Sequence, residues 1–345
     1  MADKQRNVPD DPLDKLFTPE IVKRLQSETN PSEGLVGRLH VVAPWNPYED
    51  PKIHESLQEK AYRKRELVRS IWNGYLRSAW ECGFFGDPHG KELRTRLTGK
   101  DDENFRSAMD ECMTCWLFHS LQGFDVAPYP KGRKSGQLEM IVSLPDGDAF
   151  VEVKSPEDRQ VHVSVETPLS ADPSERAEMF QKIDGARLDG CFEEASKQFD
   201  SGRRNILVFC PHFDFDVWFD RNRMIEPLYG EWTYKFYVSE DPSVPPREGE
   251  SYIAPVGRFT KYYSDRGGPR HTRISLAVSI EWFFAKDLSS VEHNVIVVPN
   301  HYAACPIDVS GWKDCVRLLI EERNGTLLLS WSDGADLMGG PEQEG

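Results

Sequence analysis

Alternating apolar and polar residues predict a short β-strand near the middle of the chain. Residues 150–154 read Phe-Val-Glu-Val-Lys. Successive strand side chains point to opposite faces, so Val151 and Val153 share one face while Glu152 and Lys154 share the other. A mostly apolar strand with two charges on one face needs an explanation, because buried charges are costly unless they are paired or bind a metal.

The segment that precedes this strand predicts its hairpin partner. Residues 137–144 form a β-rich run, and the next four residues, Pro-Asp-Gly-Asp, are typical of a turn. With a four-residue turn, Glu139 lies opposite Lys154, and Ile141 lies opposite Glu152. Cross-strand neighbours on one face are about 5 Å apart, so the hairpin brings Glu139, Glu152 and Lys154 together.

Periodicity on either side of the hairpin predicts further elements. Apolar residues recur every three or four positions from Asp102 to Gln122, which indicates a helix that ends before Gly123. Residues 124–129 follow as an edge strand, since Pro128 cannot donate to a central ladder. Ser174 to Phe199 predicts a second helix, and the apolar run 205–210 predicts a buried central strand.

The remaining sequence is less regular, and together with the central elements it favours a mixed α/β (α+β) fold. A helix is predicted from Ser56 to Cys82, and Val36 to Val42 is a possible strand. Strand-like runs occur at residues 232–238, 274–284 and 294–298. The predicted regions are a Pro-rich extended segment (1–54), a helical region (55–100), a central core (101–212), an aromatic-rich β-containing region (213–338) and a tail (339–345).

Two carboxylates and one lysine in a single place indicate a particular chemistry. Oxygen ligands from Glu139 and Glu152 suit a hard divalent cation such as Mg²⁺ or Mn²⁺. Lys154 adds a positive charge beside a water molecule that such an ion activates. The acidic-x-Lys pattern occurs twice in the chain, but Asp50-Pro51-Lys52 lies among prolines in a loop-like stretch, so residues 152–154 are the better candidate.

This segment resembles the PD-(D/E)XK nuclease superfamily. The resemblance implies that Glu139, Glu152 and the carbonyl of Val153 bind Mg²⁺ or Mn²⁺, and that Lys154 orients or activates the attacking water. It also implies that Glu111, on the preceding helix, assists metal binding. The expected activity is therefore metal-dependent hydrolysis of phosphodiester bonds.

The resemblance also implies a restriction-endonuclease-like core over about residues 101–212. In that core a helix is followed by three strands, a second helix and a further strand, with helices flanking a mixed sheet. The chain departs from the family pattern at its first acidic position. The family usually has Asp, often after Pro, whereas this chain reads Gly136-Gln-Leu-Glu139.

The net charge of −15 opposes a nucleic-acid partner at long range, because phosphate backbones repel an acidic protein. Local charge is distributed differently. Lys131, Arg133 and Lys134 stand just before the Glu139 strand, at the rim of the expected site. Such a cluster could contact the phosphates of DNA or RNA, although most runs of charge are simply solvated.

Composition restricts the compartment and other chemistry. There is no long apolar run for a membrane span and no apolar signal-peptide core near Met1, and seven cysteines fit reduced thiols better than a disulfide framework. These features favour a cytoplasmic protein. Cys112, Cys115 and His119 fall along one side of a predicted helix, where core packing explains them better than zinc.

Three interpretations of the sequence stay open. The first is a Mg²⁺-dependent nuclease. The second is a protein with the nuclease fold but without its chemistry, which binds nucleic acid or a protein. The third is a structural or interaction protein in which Glu139 and Lys154 form only an exposed cross-strand salt bridge.

Overall fold

The structure is a computed structural model that describes residues 8–44, 48–50, 52–130, 139–155, 190–210, 221–230, 257–260, 269, 271–323 and 326–334, and the pairs 232–233, 236–237, 247–248 and 252–253. The helices are α1 (Pro12–Leu16), α2 (Pro19–Gln26), α3 (Glu33–Val42), α4 (Glu55–Cys82), α5 (His89–Thr98), α6 (Asp102–Trp116), α7 (190–198) and α8 (Arg221–Tyr229). The main strands are β1 (Asp125–Pro128), β2 (Met140–Leu144), β3 (Gly147–Lys154) and β4 (Arg204–Phe209). Short strands follow as β5 (Trp232–Thr233), β6 (Phe236–Tyr237), β7 (Arg247–Glu248) and β8 (Tyr252–Ile253), and longer ones as β9 (Leu276–Phe284), β10 (Val291–Pro299), β11 (Val316–Arg323) and β12 (Thr326–Trp331).

Eight of these strands form one mixed sheet in the order β1-β2-β3-β4-β9-β10-β11-β12. The first three strands are an antiparallel meander, and β4 lies parallel to both β3 and β9. Strand β10 is antiparallel to β9, β11 is parallel to β10, and β12 is antiparallel to β11. The protein is therefore a mixed α/β fold, as the sequence predicts.

Helices cover both faces of the sheet, and the central strands contribute side chains to both cores. Val151 and Val208 belong to the core beneath α4, α5 and α6. Leu207 and Phe209 belong to the core beneath α7 and α8. Burial on both faces explains why β4 is a continuous apolar run, and it confirms the predicted central strand. Glu152 and Lys154, which alternate with the valines of β3, lie on the α7 side.

The β2–β3 hairpin differs from its predicted register by two residues. Leu144 pairs with Gly147, not with Ala149, so the turn contains two residues in place of four. Gly147 adopts a φ of +123°, a conformation that L side chains rarely take, and this permits the tighter turn. A two-residue shift preserves the alternation of faces, so Glu152 and Lys154 keep their predicted side although their cross-strand partners change.

Helix α6 forms where the periodicity predicts it. The Asp101 side chain caps its first turn by accepting a hydrogen bond from the Asn104 amide at 2.8 Å. After Trp116 the chain continues through a π-helical turn, Leu117–Leu121, and Gly123 follows with a φ of +77°. The adjacent strand β1 lies at one end of the sheet, which confirms its predicted edge position. The second predicted helix is described only over residues 190–198.

The prediction of an extended N-terminal segment is wrong, because residues 12–42 contain three helices. Pro12 and Pro19 occupy first turns, where a missing N–H costs no helical hydrogen bond. Ser32 caps α3, and its hydroxyl accepts a hydrogen bond from the Leu35 amide. The possible strand over residues 36–42 is therefore helical.

The C-terminal part of the chain extends the central sheet. The predicted strands at 274–284 and 294–298 are confirmed as β9 and β10, and the run 232–238 contains two short strands, β5 and β6. Strands β11 and β12 were not predicted. Within the part of the chain that the structure describes, no helix combines the length and apolarity needed to cross a membrane. All seven cysteines are free thiols, and Cys112 and Cys115 lie in the core.

Candidate functional site

Glu139 and Glu152 meet at the open end of the β2–β3 hairpin. Met140 pairs with Val151, and continuing this register by one step sets Glu139 opposite Glu152. The Glu139 amide donates to the Val151 carbonyl at 3.1 Å, and Glu139 Oε2 accepts a hydrogen bond from the Val153 amide at 3.2 Å. The backbone of β3 thus fixes the Glu139 carboxyl beside the Glu152 carboxyl.

Lys154 lies beside this pair, on the same face of β3 as Glu152. Its Nζ is 3.0 Å from Glu152 Oε1 and 3.4 Å from Glu194 Oε2 on α7. Glu152 is only 2 % exposed, whereas the Glu194 side chain is 67 % exposed. Gln198, one turn further along α7, also forms a hydrogen bond with Glu152. The three predicted residues therefore lie together. The expected cross-strand pairing of Glu139 with Lys154 is wrong, because Lys154 forms its ion pair with Glu152 on the same strand.

Burial raises the pKa of both carboxyl groups. Burial raises the pKa of Glu139 well above its usual value, and the nearby charges of Glu152 and Glu111 raise it further. Burial also raises the pKa of Glu152, although hydrogen bonds from Glu139, Lys154 and Gln198 partly offset this effect. Glu139 therefore keeps its proton to a higher pH than an exposed glutamate does.

The pKa of Lys154 is set by two opposing effects, burial and the charge of Glu152. Burial alone would lower the pKa of Lys154, but the Glu152 carboxylate outweighs burial and the pKa is raised. The side chain therefore stays an ammonium group near neutral pH. It can donate hydrogen bonds and supply positive charge, but it does not serve as a base.

A third carboxylate, that of Glu111, comes from α6, on the face of the sheet opposite α7. Glu111 on α6 lies close enough to Glu139 and Glu152 for their charges to interact. Its Oε1 is 2.5 Å from an Nη atom of Arg96 on α5. Burial raises the pKa of Glu111, and the Arg96 charge offsets only part of that increase.

The neighbouring residue on α6 adds a buried acid that the sequence pattern did not single out. Asp110 is 7 % exposed, and its carboxyl accepts a hydrogen bond from the Ser155 hydroxyl at the end of β3. Burial raises the pKa of Asp110 to about 8, although the Ser155 hydrogen bond acts in the opposite direction. Ser155 directly follows Lys154, so this hydrogen bond links the end of β3 to α6.

The chemistry of the donor set fits a hard divalent cation. Glu139 and Glu152 present their carboxyl oxygens side by side, and Lys154 Nζ lies 3.0 Å from one of them. Glu152 Oε2 is buried and receives no hydrogen bond from an amide, hydroxyl or ammonium group of the described residues. Among those residues no group of three or more His, Cys, Asp or Glu side chains is arranged to hold a metal. A cation at this position would therefore rest on two carboxylates and a main-chain carbonyl such as that of Val153.

Neither the predicted basic cluster nor a large surface groove contributes a described residue to the site formed by Glu139, Glu152 and Lys154. Lys131, Arg133 and Lys134 lie outside the described residues. A surface groove of about 590 Å³ lies at the opposite end of β3 and β4, between Asp146 and Pro306, and contains none of the clustered carboxylates. Sequence reasoning missed Arg96, Asp110 and Glu194, because no local pattern distinguishes them from other helix charges.

Comparison of the chain with protein-family models, curated proteins and solved structures finds no match in any of the three.

Proposed function

We propose that the protein is a metal-dependent nuclease that hydrolyses phosphodiester bonds of DNA or RNA. The main support is the arrangement of Glu139, Glu152 and Lys154, in which two buried carboxyl groups lie opposite each other and an ammonium group lies 3.0 Å from one of them. A divalent cation would stabilise the ionised form of both carboxyl groups, whose pKa values burial raises. Glu139, Glu152 and the Val153 carbonyl are the residues that would hold Mg²⁺ or Mn²⁺.

The element order supports the same proposal. Helix α6, the antiparallel strands β1 to β3, helix α7 and the parallel strand β4 follow one another in the order that the resemblance to PD-(D/E)XK nucleases implies. The carboxylates lie at the edge where β3 and β4 both end. In open sheets with parallel strands, ligands commonly bind outside the carboxyl ends of the strands.

Hydrolysis forms one P–O bond from water and breaks one P–O ester bond, and the departing alcohol takes a proton. A bound divalent ion supplies positive charge opposite the phosphate and lowers the pKa of a water molecule. Lys154, which stays protonated, donates hydrogen bonds to the attacking water or to a phosphate oxygen. Gln198 contacts Glu152 from α7, and the exposed Glu194 adds a weak ion pair to Lys154.

Two observations favour the second candidate, a nuclease fold that binds nucleic acid or protein without cutting. Lys154 and Glu111 already have charged partners within the protein, and the net charge is −15. The third candidate expects an exposed cross-strand pair, and the 2 % exposure of Glu152 argues against it.

Calorimetric titration with Mn²⁺, combined with cleavage assays on DNA and RNA, separates the first two candidates. The nuclease proposal expects Mn²⁺ binding and Mn²⁺-dependent cleavage in the intact protein, both lost in Glu152→Gln. Binding without cleavage of either nucleic acid would favour the second candidate. Absence of Mn²⁺ binding would overturn the metal site itself.

A further inference from the structure

Arg96 is held in a defined orientation beside the carboxylate cluster. One Nη atom is 2.5 Å from Glu111 Oε1, and the other donates to Ser107 Oγ at 2.7 Å. Ser107 and Glu111 are one turn apart on α6, so one face of that helix contacts both Nη atoms of the guanidinium. The Arg96 side chain is 21 % exposed, and the guanidinium has further N–H groups beyond these two contacts.

The position of Arg96 complements that of Lys154. Arg96 pairs with Glu111 at 2.5 Å, and Glu111 lies close enough to Glu139 and Glu152 for their charges to interact, so Arg96 lies on the α5–α6 side of that pair. Lys154 reaches it from the α7 side, through its contacts with Glu152 and Glu194. A phosphate that approaches this edge therefore has a cation on either side, although the cluster as a whole is acidic.

One oxygen of the Glu111 carboxylate, Oε1, already pairs with Arg96. Its contact with Arg96 is a charge-assisted hydrogen bond between two side chains that are each less than a quarter exposed. A metal ion on the other Glu111 oxygen would lie next to the positive charge of Arg96, which opposes its binding there.

We propose that Arg96 is a phosphate-binding residue of this site, and that Glu111 orients Arg96 and is not a metal ligand. The inference rests on the proposed function, since it assumes a phosphodiester substrate. A guanidinium that a carboxylate already orients loses less conformational freedom when it binds phosphate. Its remaining N–H groups can donate hydrogen bonds to phosphate oxygens. Glu111 acts through Arg96 and is a positioning residue.

The first experiment measures phosphate binding without metal. Fluorescence anisotropy of labelled duplex DNA and of labelled single-stranded RNA is recorded at low salt in EDTA, where no metal-dependent cleavage occurs. Arg96→Gln weakens binding of the preferred nucleic acid about tenfold, the change expected on loss of one charge-assisted contact. Lys91→Gln, which removes an equal charge from an exposed position of α5, is the matched control and changes affinity less than about twofold.

The second experiment tests Glu111 as a ligand at constant local charge. The double variant Arg96→Gln/Glu111→Gln removes one positive and one negative group, and it binds Mn²⁺ within about threefold of the intact protein, a difference below 1 kcal/mol. Glu152→Gln loses Mn²⁺ binding. Thermal melting of each variant confirms that it is folded before either measurement is interpreted.

The outcomes distinguish the inference from the proposed function. If the double variant loses Mn²⁺ binding as Glu152→Gln does, Glu111 is a ligand and the inference is wrong while the metal site stands. If Arg96→Gln binds nucleic acid as Lys91→Gln does, the Arg96–Glu111 pair only joins α5 to α6 and the inference is also wrong. If the intact protein binds no Mn²⁺, the proposed function fails, and the anisotropy comparison still decides the role of Arg96.

Discussion

Glu139 and Glu152 lie directly opposite each other at the end of a β-hairpin, on the side of the sheet that α7 covers. Like charges opposite each other across two strands destabilise a sheet, and burial makes the repulsion stronger. The hairpin register enforces this arrangement, because the two-residue turn sets Glu152 as the residue directly across the strand pair from Glu139. Such a pair is costly for folding and suited to binding a cation, which is the usual compromise at a functional site.

Replacing one member of the pair is expected to stabilise the protein. Glu139→Gln removes a buried carboxyl group while its amide oxygen still accepts the Val153 hydrogen bond, so the free energy of unfolding at pH 8 rises by about 1 kcal/mol. The same variant loses the increase in melting temperature that Mn²⁺ gives the intact protein. Asp148→Asn, at the exposed end of the same hairpin, serves as the control and retains the Mn²⁺ effect. A Mn²⁺ effect that survives in Glu139→Gln would remove Glu139 from the metal site.

Lys154 is expected to be essential for cleavage but replaceable for folding. Lys154→Met keeps the aliphatic stem and removes the ammonium group, so cleavage falls at least about a hundredfold, the scale typical of a lost electrostatic contact in a transition state. Glu194→Gln removes the exposed partner of Lys154 and changes the rate less than about threefold. Initial rates with Mn²⁺ on a labelled oligonucleotide provide the measurement. Equal rates for the intact protein and Lys154→Met would exclude Lys154 from catalysis.

Stability is expected to fall as the pH rises from about 4 to about 8. Burial raises the pKa of Asp110 from 3.8 to about 8, so the folded protein retains a proton that the unfolded chain has lost. A raised carboxyl pKa gives stability that is complete below the unfolded pKa and is lost as pH rises through the folded pKa, at up to about 1.4 kcal/mol per pH unit. Asp110→Asn should flatten this dependence in urea unfolding series, whereas the exposed Glu292→Gln should not. An unchanged slope in Asp110→Asn would show that Asp110 is ionised in the folded protein.

Two glycines give a matched test of the helical region that carries Arg96. A Cβ at Gly90 in α5 would come within 2.1 Å of the Phe85 carbonyl oxygen, and that backbone atom cannot move aside cheaply. Gly90→Ala is therefore expected to lower the free energy of unfolding by about 1–3 kcal/mol. Gly37 in α3 has open space around the same position, so Gly37→Ala raises it by up to about 1 kcal/mol. Chemical denaturation measures both, and a neutral Gly90→Ala would contradict the close approach of α5 to Phe85.

Local periodicity explains which elements were predicted correctly. Helices α4 and α6 carry long apolar repeats with clear stop signals, and β4 is apolar along its whole length because both of its faces are covered. The N-terminal helices were missed because proline breaks a helix at most positions, whereas Pro12 and Pro19 stand at first turns, where it is tolerated. Strands β11 and β12 were missed because their burial is partial and their pattern is irregular.

The hairpin register shows where such reasoning ends. The sequence indicated a turn between β2 and β3, but the length of that turn depends on the left-handed conformation of Gly147 and on packing around it. Even so, Glu139, Glu152 and Lys154 converge as predicted, because a shift of two residues leaves every side chain on the same face.

Local order along the chain is enough to put Glu152 and Lys154 on one face of a strand and to bring Glu139 to them through a hairpin. Both are short-range consequences of a period of two residues and a turn. The meeting of Arg96, Asp110, Glu111 and Gln198 at the same edge depends instead on long-range packing. These residues come from helices packed against opposite faces of the sheet, and their approach is set by how the two cores close over β3 and β4, which no local pattern in the chain encodes.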